Sequence, residues 1–539
     1  MRRFALALAL SLPSHAAAQD ATPDAPAPEA AGPGCGDAVE VDRFRLLRQL
    51  TLDLWGRIPT EAELRALAAV ESDDVPESTL DALLDGAEFE TFLSRHHADL
   101  LFPNVEGLEF VSPAALVLPA QYAGAQGDPT RLFNLFVAFY QRRELYAPCK
   151  DEPAEFDADG APIFEEMPDG TRREGYVLVE PYWAPGTQVK VCAAEADIAP
   201  RGRSGVDCAT AQGMFSGECG CGPSLEHCAD PYVIQTLQGS LRTQMSRMVQ
   251  GPIREGRPYT DVLTDVHEEV DGPLAHYYKH LAAMSLDPLV LVPPVPAAAL
   301  EGVAYTDTAW VRYERTPAIH SGVLTSLSFL LRFQTARARA NRFYNAFLCE
   351  PFQAPTDGLP SPNDACSQEP DLRERCGCKY CHTRLEPAAA HWARFAEAGS
   401  MYIDPALYPV YEPRCAACAE NPDRECDGIC EKFYVTEIGH PKQRPFAGVL
   451  KAYEFRGRDE IANVEAGPRK AVEAAVADGR LAACATTQVF RRLYRREPTA
   501  EELRRDLPAW AAEFQNGGFD FRALVKRLVT ADGYRRMVR

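Results

Sequence analysis

The sequence predicts a mainly α protein, with helical domains interrupted by a disulfide-rich irregular insertion. Three observations carry this expectation: apolar residues recur at helical spacing toward both ends, two distant segments share one helix-start design, and the cysteines cluster. With 539 residues, 46% of them hydrophobic, the chain is long enough for about three domains or subdomains.

Arg2 and Arg3 precede an apolar run from Phe4 to Leu12, and Ala16-Ala17-Ala18 stand before Gln19. This is the charged start, apolar core and small-residue cleavage site of a secretory signal, so residues 1–18 are expected to be removed. The run is too short to span a bilayer, and the later apolar stretch from Leu286 to Leu300 is broken by Pro288, Pro293, Pro294 and Pro296. No transmembrane segment is therefore expected once the signal is gone. Residues 19–40 are rich in Ala, Pro and Asp and read as a flexible tether.

Residues 41–105 read as an N-terminal helical module. Phe44, Leu47, Leu50 and Leu54 fall on one helical face, and Thr60 with Glu63 forms a capping box in which each side chain covers a backbone N–H left open at the helix start. Residues 466–539 repeat the design. Trp55-Gly56-Arg57-Ile58-Pro59-Thr60 aligns with Tyr494-Arg495-Arg496-Glu497-Pro498-Thr499, and Glu502 supplies the second box. After a six-residue difference in loop length, Leu83-Leu84, Phe89 and Phe92 match Leu528-Val529, Tyr534 and Met537. This favours a duplicated unit over two hairpins that merely share a capping solution.

Between these modules, residues 106–235 form the Cys-rich insertion, with one hairpin expected from Tyr176 to Val191 around Pro185-Gly186. Residues 236–350 form a helical domain in which segments 256–284 and 320–349 read as helix, with Val323, Leu327 and Leu331 on one face and Phe343 and Phe347 on another. His276 and His280 stand one helical turn apart, a spacing that metals use, but with no third ligand nearby the reading is a solvated face.

Residues 351–465 hold the most specific signal in the chain, Cys378-Lys379-Tyr380-Cys381-His382. C-x-x-C-H attaches haem c: two thiols form thioethers and the adjacent imidazole ligates iron. The expectation is one covalent haem c held by Cys378, Cys381 and His382, with His382 as the proximal iron ligand. Its second ring nitrogen should be fixed by an acceptor. Met401 and His440 are the distal candidates, and His391 is expected to face solvent or pack on the helix that follows the motif. The competing readings of the motif are a disulfide and a zinc site. Export agrees with the haem reading, because thioether formation takes place outside the cytoplasm, where other cysteines pair. Cys415, Cys418, Cys426 and Cys430 form a further cluster, but Ala419 and Glu431 stand where histidine would follow, so it predicts disulfides or zinc and no second haem. Cys376 is expected in a structural disulfide.

Three parts of the chain resemble the planctomycete-type cytochrome c-associated domain family, secreted bacterial haem c proteins with helical domains. They are Arg48 to Thr60 with its G-x-x-P-T step, Pro258 through Leu348-Cys349, and Cys378 to Gly399 followed by Leu481 to Met537. Pro387 and Phe395 keep the family pattern after the motif, whereas Glu386, Ala389, Ala393 and Ala396 depart from it. The resemblance implies haem c binding and electron transfer, and it supplies no catalytic residues.

The formal net charge is −21, and loss of Arg2 and Arg3 with the signal makes it −23. Without a basic footprint, nucleic acid is excluded as a partner. An acidic surface suits a basic redox protein partner or is simply solvated. No nucleotide-binding loop or nucleophile elbow stands in the right context. The expected function is electron transfer by an exported c-type haem protein at the periplasm or cell surface. A haem-dependent oxidoreductase and a surface scaffold with a structural haem are the alternatives. The sequence assigns no oligomeric state.

Overall fold

Asp42 opens the first helix by accepting from the backbone N–H groups of Phe44 and Arg45, both at 3.0 Å. The computed structural model describes residues 39–537 apart from 104–130, 133–148, 169, 171, 195, 197–200, 202–204, 206–220, 223, 227–230, 282–296, 316–319, 353–357, 359, 396, 398–401, 422–424 and 455. The signal, most of the tether, much of the Cys-rich insertion, the proline-broken stretch before Leu300, and Met401 lie outside the described residues.

The N-terminal module comprises α1 (Arg43–Leu54), α2 (Glu61–Ala68), α3 (Glu77–Asp85) and α4 (Glu90–Leu101). Leu46, Leu47, Leu50 and Leu54 form the buried stripe of α1, while Phe44, assigned to that stripe from spacing, is 38% exposed. It belongs to the first turn, where the chain enters and the helix face is still open. Gly56 takes φ +73° and reverses the chain, and the Thr60–Glu63 box then starts α2.

The middle of the molecule is organised by α5 (Pro231–Arg254), whose Leu237, Leu241, Met245, Val249 and Ile253 are all buried. Segment 256–284, read as helix, is helical in part, the described residues continuing as a π-helical turn over Tyr277–Leu281. It contains α6 (Asp261–Thr264), an extended stretch His267–Val270, and α7 (Gly272–His276). Burial alternates along His267–Val270, which pairs antiparallel with Val311–Glu314, Glu268 facing Tyr313. Inside, Glu268 meets Arg315 at 3.3 Å and receives the Tyr313 hydroxyl at 2.5 Å and Gln244 Nε2 at 2.8 Å. A fully buried ion pair persists only with such additional hydrogen bonds.

Segment 320–349 is helical as expected, broken at Ser326 and Thr335, which cap α8 (Leu327–Arg332) and α9 (Ala336–Phe347). The five apolar residues assigned to its faces are all buried. In the insertion, Tyr176–Val179 and Val189–Cys192 form the expected antiparallel hairpin, with Gly186 at φ +80° in the turn.

After the motif region come α10 (Lys379–Ala390), α11 (Pro413–Glu420), α12 (Gly428–Phe433) and α13 (Arg458–Ala477). The C-terminal module is α14 (Arg480–Tyr494), α15 (Leu507–Asn516), α16 (Phe521–Val529) and α17 (Asp532–Arg535). It closes on the first module through a short antiparallel pairing, Val39 against Met537 and Glu40 against Arg536. The Cys349–Cys484 disulfide ties the end of α9 to α14 across 135 residues. Among the described residues, no helix is long and apolar enough to cross a membrane.

Candidate haem-attachment site

The C-x-x-C-H motif occupies the first turn of α10. Cys378 is its N-cap residue, and the Cys378 carbonyl accepts from the N–H groups of Cys381 (3.1 Å) and His382 (3.0 Å). One helical turn thus carries both thiols and the imidazole. The loop before it is pinned: Cys366 and Cys376 form a disulfide, Gly377 turns the chain at φ +83°, and the Arg375 side chain bonds the Glu369 carbonyl at 2.5 Å. Cys376 is therefore in a disulfide as expected. The described cysteines outside disulfides are Cys378 and Cys381, both half-buried thiols.

His382 Nδ1 bonds Glu386, four residues on and on the same face. An ionised carboxylate only accepts, so Glu386 fixes the proton on Nδ1 and leaves the Nε2 lone pair as the ligating position. Arg337 on α9 grips the same carboxylate with two bonds, at 2.8 and 3.0 Å. Burial by itself raises the Glu386 pKa, but the bonds from Arg337 and His382 prevail and hold it below the usual carboxylate range. The sequence reading noted Glu386 only as a departure from the family pattern. Its i+4 spacing from His382 was the signal for this role.

The departure at Ala389 has a packing reason. Ala389 is buried with Ala388 and Ala390 where α10 meets α9 and α13, and Trp392 is fully buried with its indole N–H on the Leu324 carbonyl at 3.1 Å. Small residues let the helices approach. Asn463 on α13 donates to the Pro387 carbonyl at 2.8 Å, anchoring the last turn of α10.

Two distal candidates were expected. Met401 lies outside the described residues. His440 caps a short helical turn, its Nδ1 accepting from the Lys442 N–H at 3.2 Å. In that state Nε2 carries the proton, so iron ligation by His440 requires the cap to be released. Lys442 also reaches Glu369 at 2.8 Å, which places this turn against the loop that leads into the motif. His391 packs on α13, its Nδ1 donating to the Gly467 carbonyl at 2.8 Å, and burial pushes its pKa down to about 4.

The solvated-face reading of His276 and His280 is overturned for His276. It is buried, stacks on Tyr182 with ring centroids 3.6 Å apart, and bonds the Glu226 carbonyl at 2.9 Å. Tertiary packing from the insertion covers that face, which helical spacing alone does not reveal. The four-cysteine cluster forms two disulfides, Cys415–Cys430 and Cys418–Cys426, in place of a zinc site.

Among the described residues, no three His, Cys, Asp or Glu side chains converge closely enough to hold a metal ion. Cys378, Cys381 and His382 share one helical turn, and two thiols with an adjacent imidazole are the donor types that haem c takes. No protein-family model, curated protein or solved structure matches the chain.

Proposed function

We propose that this chain is an exported c-type haem protein that transfers electrons, with one haem bound covalently through Cys378 and Cys381 and ligated by His382. The observation that carries the reading is the His382–Glu386–Arg337 relay. It presents a lone pair at Nε2 from the same helical turn that carries two thiols. When bound, haem c supplies a one-electron ferric/ferrous couple.

This chain's own residues do the rest. Glu386 makes His382 a stronger donor by accepting its Nδ1 proton, and Arg337 keeps that carboxylate ionised and in place. The pinned loop ending in Gly377 and the helix contacts of Trp392 and Asn463 hold the turn rigid, which keeps reorganisation on electron transfer small. The signal sequence supports a periplasmic or cell-surface location, and the acidic chain suits a basic redox partner.

The test is a pyridine haemochrome spectrum and intact mass of protein made in a host competent for haem c maturation. One haem per chain is expected, and the double variant Cys378→Ala/Cys381→Ala should lose it. Glu386→Gln should keep the haem but raise its midpoint potential, because a weaker donor stabilises the ferric state less. Colourless wild-type protein with the mass of the bare chain would refute the reading.

A further inference from the structure

A second site lies between the two helical modules, away from the haem motif. Helices α1 and α4 of the first module and α14 of the second line an open cleft of about 480 Å³, a size typical of small-molecule pockets. Its walls carry Arg95, Arg491, Arg492 and Arg495 against two acids, Asp53 and Asp99. This concentration of positive charge stands out on a chain of net charge −21.

Both acids are already engaged. Asp53 binds Arg495 at 2.6 Å and the Tyr534 hydroxyl at 2.7 Å, and Asp99 binds Arg492 at 2.7 Å. Arg491 reaches Glu497 at 2.8 Å, a carboxylate that does not line the cleft. Arg95 has no ion pair among the described residues. Its guanidinium rests over Gly56, where a Cβ would lie 2.7 Å from Nη1, so glycine at this turn leaves the cation its place. The buried His96 ring also lines the cleft. Burial, with His97 and Arg492 nearby, pushes its pKa well below the usual value, so the ring is neutral and the charge of the site comes from the arginines.

We propose that this cleft binds a small organic anion bearing carboxylate or phosphate groups, with Arg95 and Arg491 taking the charge. Arginine suits the task because its planar donors match the oxygens of either group. The cleft draws its walls from both modules, so occupancy also clamps them together and raises stability by linkage.

Calorimetric titration and thermal unfolding of the full processed chain at low ionic strength test this, with citrate and inorganic phosphate as probes and glycerol as the uncharged control. Saturable one-to-one binding of citrate or phosphate, but not glycerol, is expected, together with a higher unfolding temperature. The stronger of the two anions sets the ligand class. Arg95→Gln and Arg491→Gln should each weaken binding by about tenfold or more, since each removes a charge-assisted contact. Absence of binding by both anions at millimolar concentration overturns the proposal, as does binding that Arg95→Gln and Arg491→Gln leave unchanged.

Discussion

The N-terminal and C-terminal modules are built alike inside and oppositely charged where they meet. In the first, Thr60 and Glu63 exchange bonds of 2.7 and 3.2 Å, and Arg57 grips Glu63 at 2.7 and 2.9 Å. In the second, Thr499 and Glu502 do so at 2.8 and 3.2 Å, and Arg496 grips Glu502 twice at 2.7 Å. The Trp55 indole donates to the Leu83 carbonyl at 2.8 Å, and the Tyr494 hydroxyl to the matching Leu528 carbonyl at 3.0 Å. The residue after each aromatic is left-handed, Gly56 at φ +73° and Arg495 at φ +54°. Among the described residues, every ion pair between the modules has its acid on the first and its base on the second. Asp53–Arg495, Asp99–Arg492, Glu77–Lys526, Asp81–Lys526, Asp85–Arg522 and Asp74–Arg535 all run this way. One local architecture thus serves two halves, and complementary surface charge distinguishes them where they meet, beside the Val39–Met537 pairing. Exposed pairs contribute little each, so they select the docking arrangement more than they stabilise it.

The largest expected effects test the shared interior. Leu83→Ala and Leu528→Ala remove equivalent buried side chains, and each should cost about 2–5 kcal/mol in denaturant unfolding. A cost below about 1 kcal/mol at one of them would break the equivalence.

Next comes the histidine-based acid sensitivity that only the first module has. It continues into α4 with buried His96 and His97, whereas the second continues into the short strand Arg536–Met537. Burial lowers the His97 pKa to about 4, and that of His96 is also depressed. Both rings stay neutral in the fold while the unfolded chain takes up protons below its histidine value near 6.5. Their stabilisation is therefore complete above about pH 6.5 and is lost as pH falls toward about 4. Thermal unfolding between pH 7.5 and 4.5 should show a loss on the order of 2–3 kcal/mol from His97 alone, with His96 and His391 adding to it, and His97→Gln should flatten the curve.

Smaller changes address the caps. Thr60→Ala and Thr499→Ala should each cost about 1 kcal/mol, equally in both modules. Below these, the left-handed residues should separate the modules. Gly56→Ala introduces a Cβ at positive φ against Arg95 and should cost about 1 kcal/mol. Arg495→Gly relieves the same strain but loses the Asp53 contact, so its net effect should lie within about 0.5 kcal/mol of zero.

The parts of the fold legible in the sequence are those fixed by neighbours along the chain. The capping boxes, the Leu83 and Leu528 registers, the hairpin around Gly186 and the placing of the C-x-x-C-H residues on one turn all follow from spacing over a few residues. The interaction of His382 with Glu386 was equally local, four residues apart, and was missed because the carboxylate was weighed against a family pattern instead of a helix face. Other features depend on distant segments. The stretch His267–Val270 becomes extended because Val311–Glu314 pairs with it and Arg315 neutralises its buried Glu268. His276 is covered by Tyr182, and Cys484 pairs with a cysteine 135 residues away. No local pattern encodes such partners.

The Cys366–Cys376 bridge bears on how the chain matures. Cys376 stands only two positions from Cys378, and a loop of ten residues closes within about 10–100 ns, far sooner than segments a hundred residues apart find one another. With Cys366 as its partner, Cys376 is withdrawn from exchange with the two neighbouring thiols. Under the proposed haem attachment, this short staple would leave Cys378 and Cys381 as the thiols open to thioether formation.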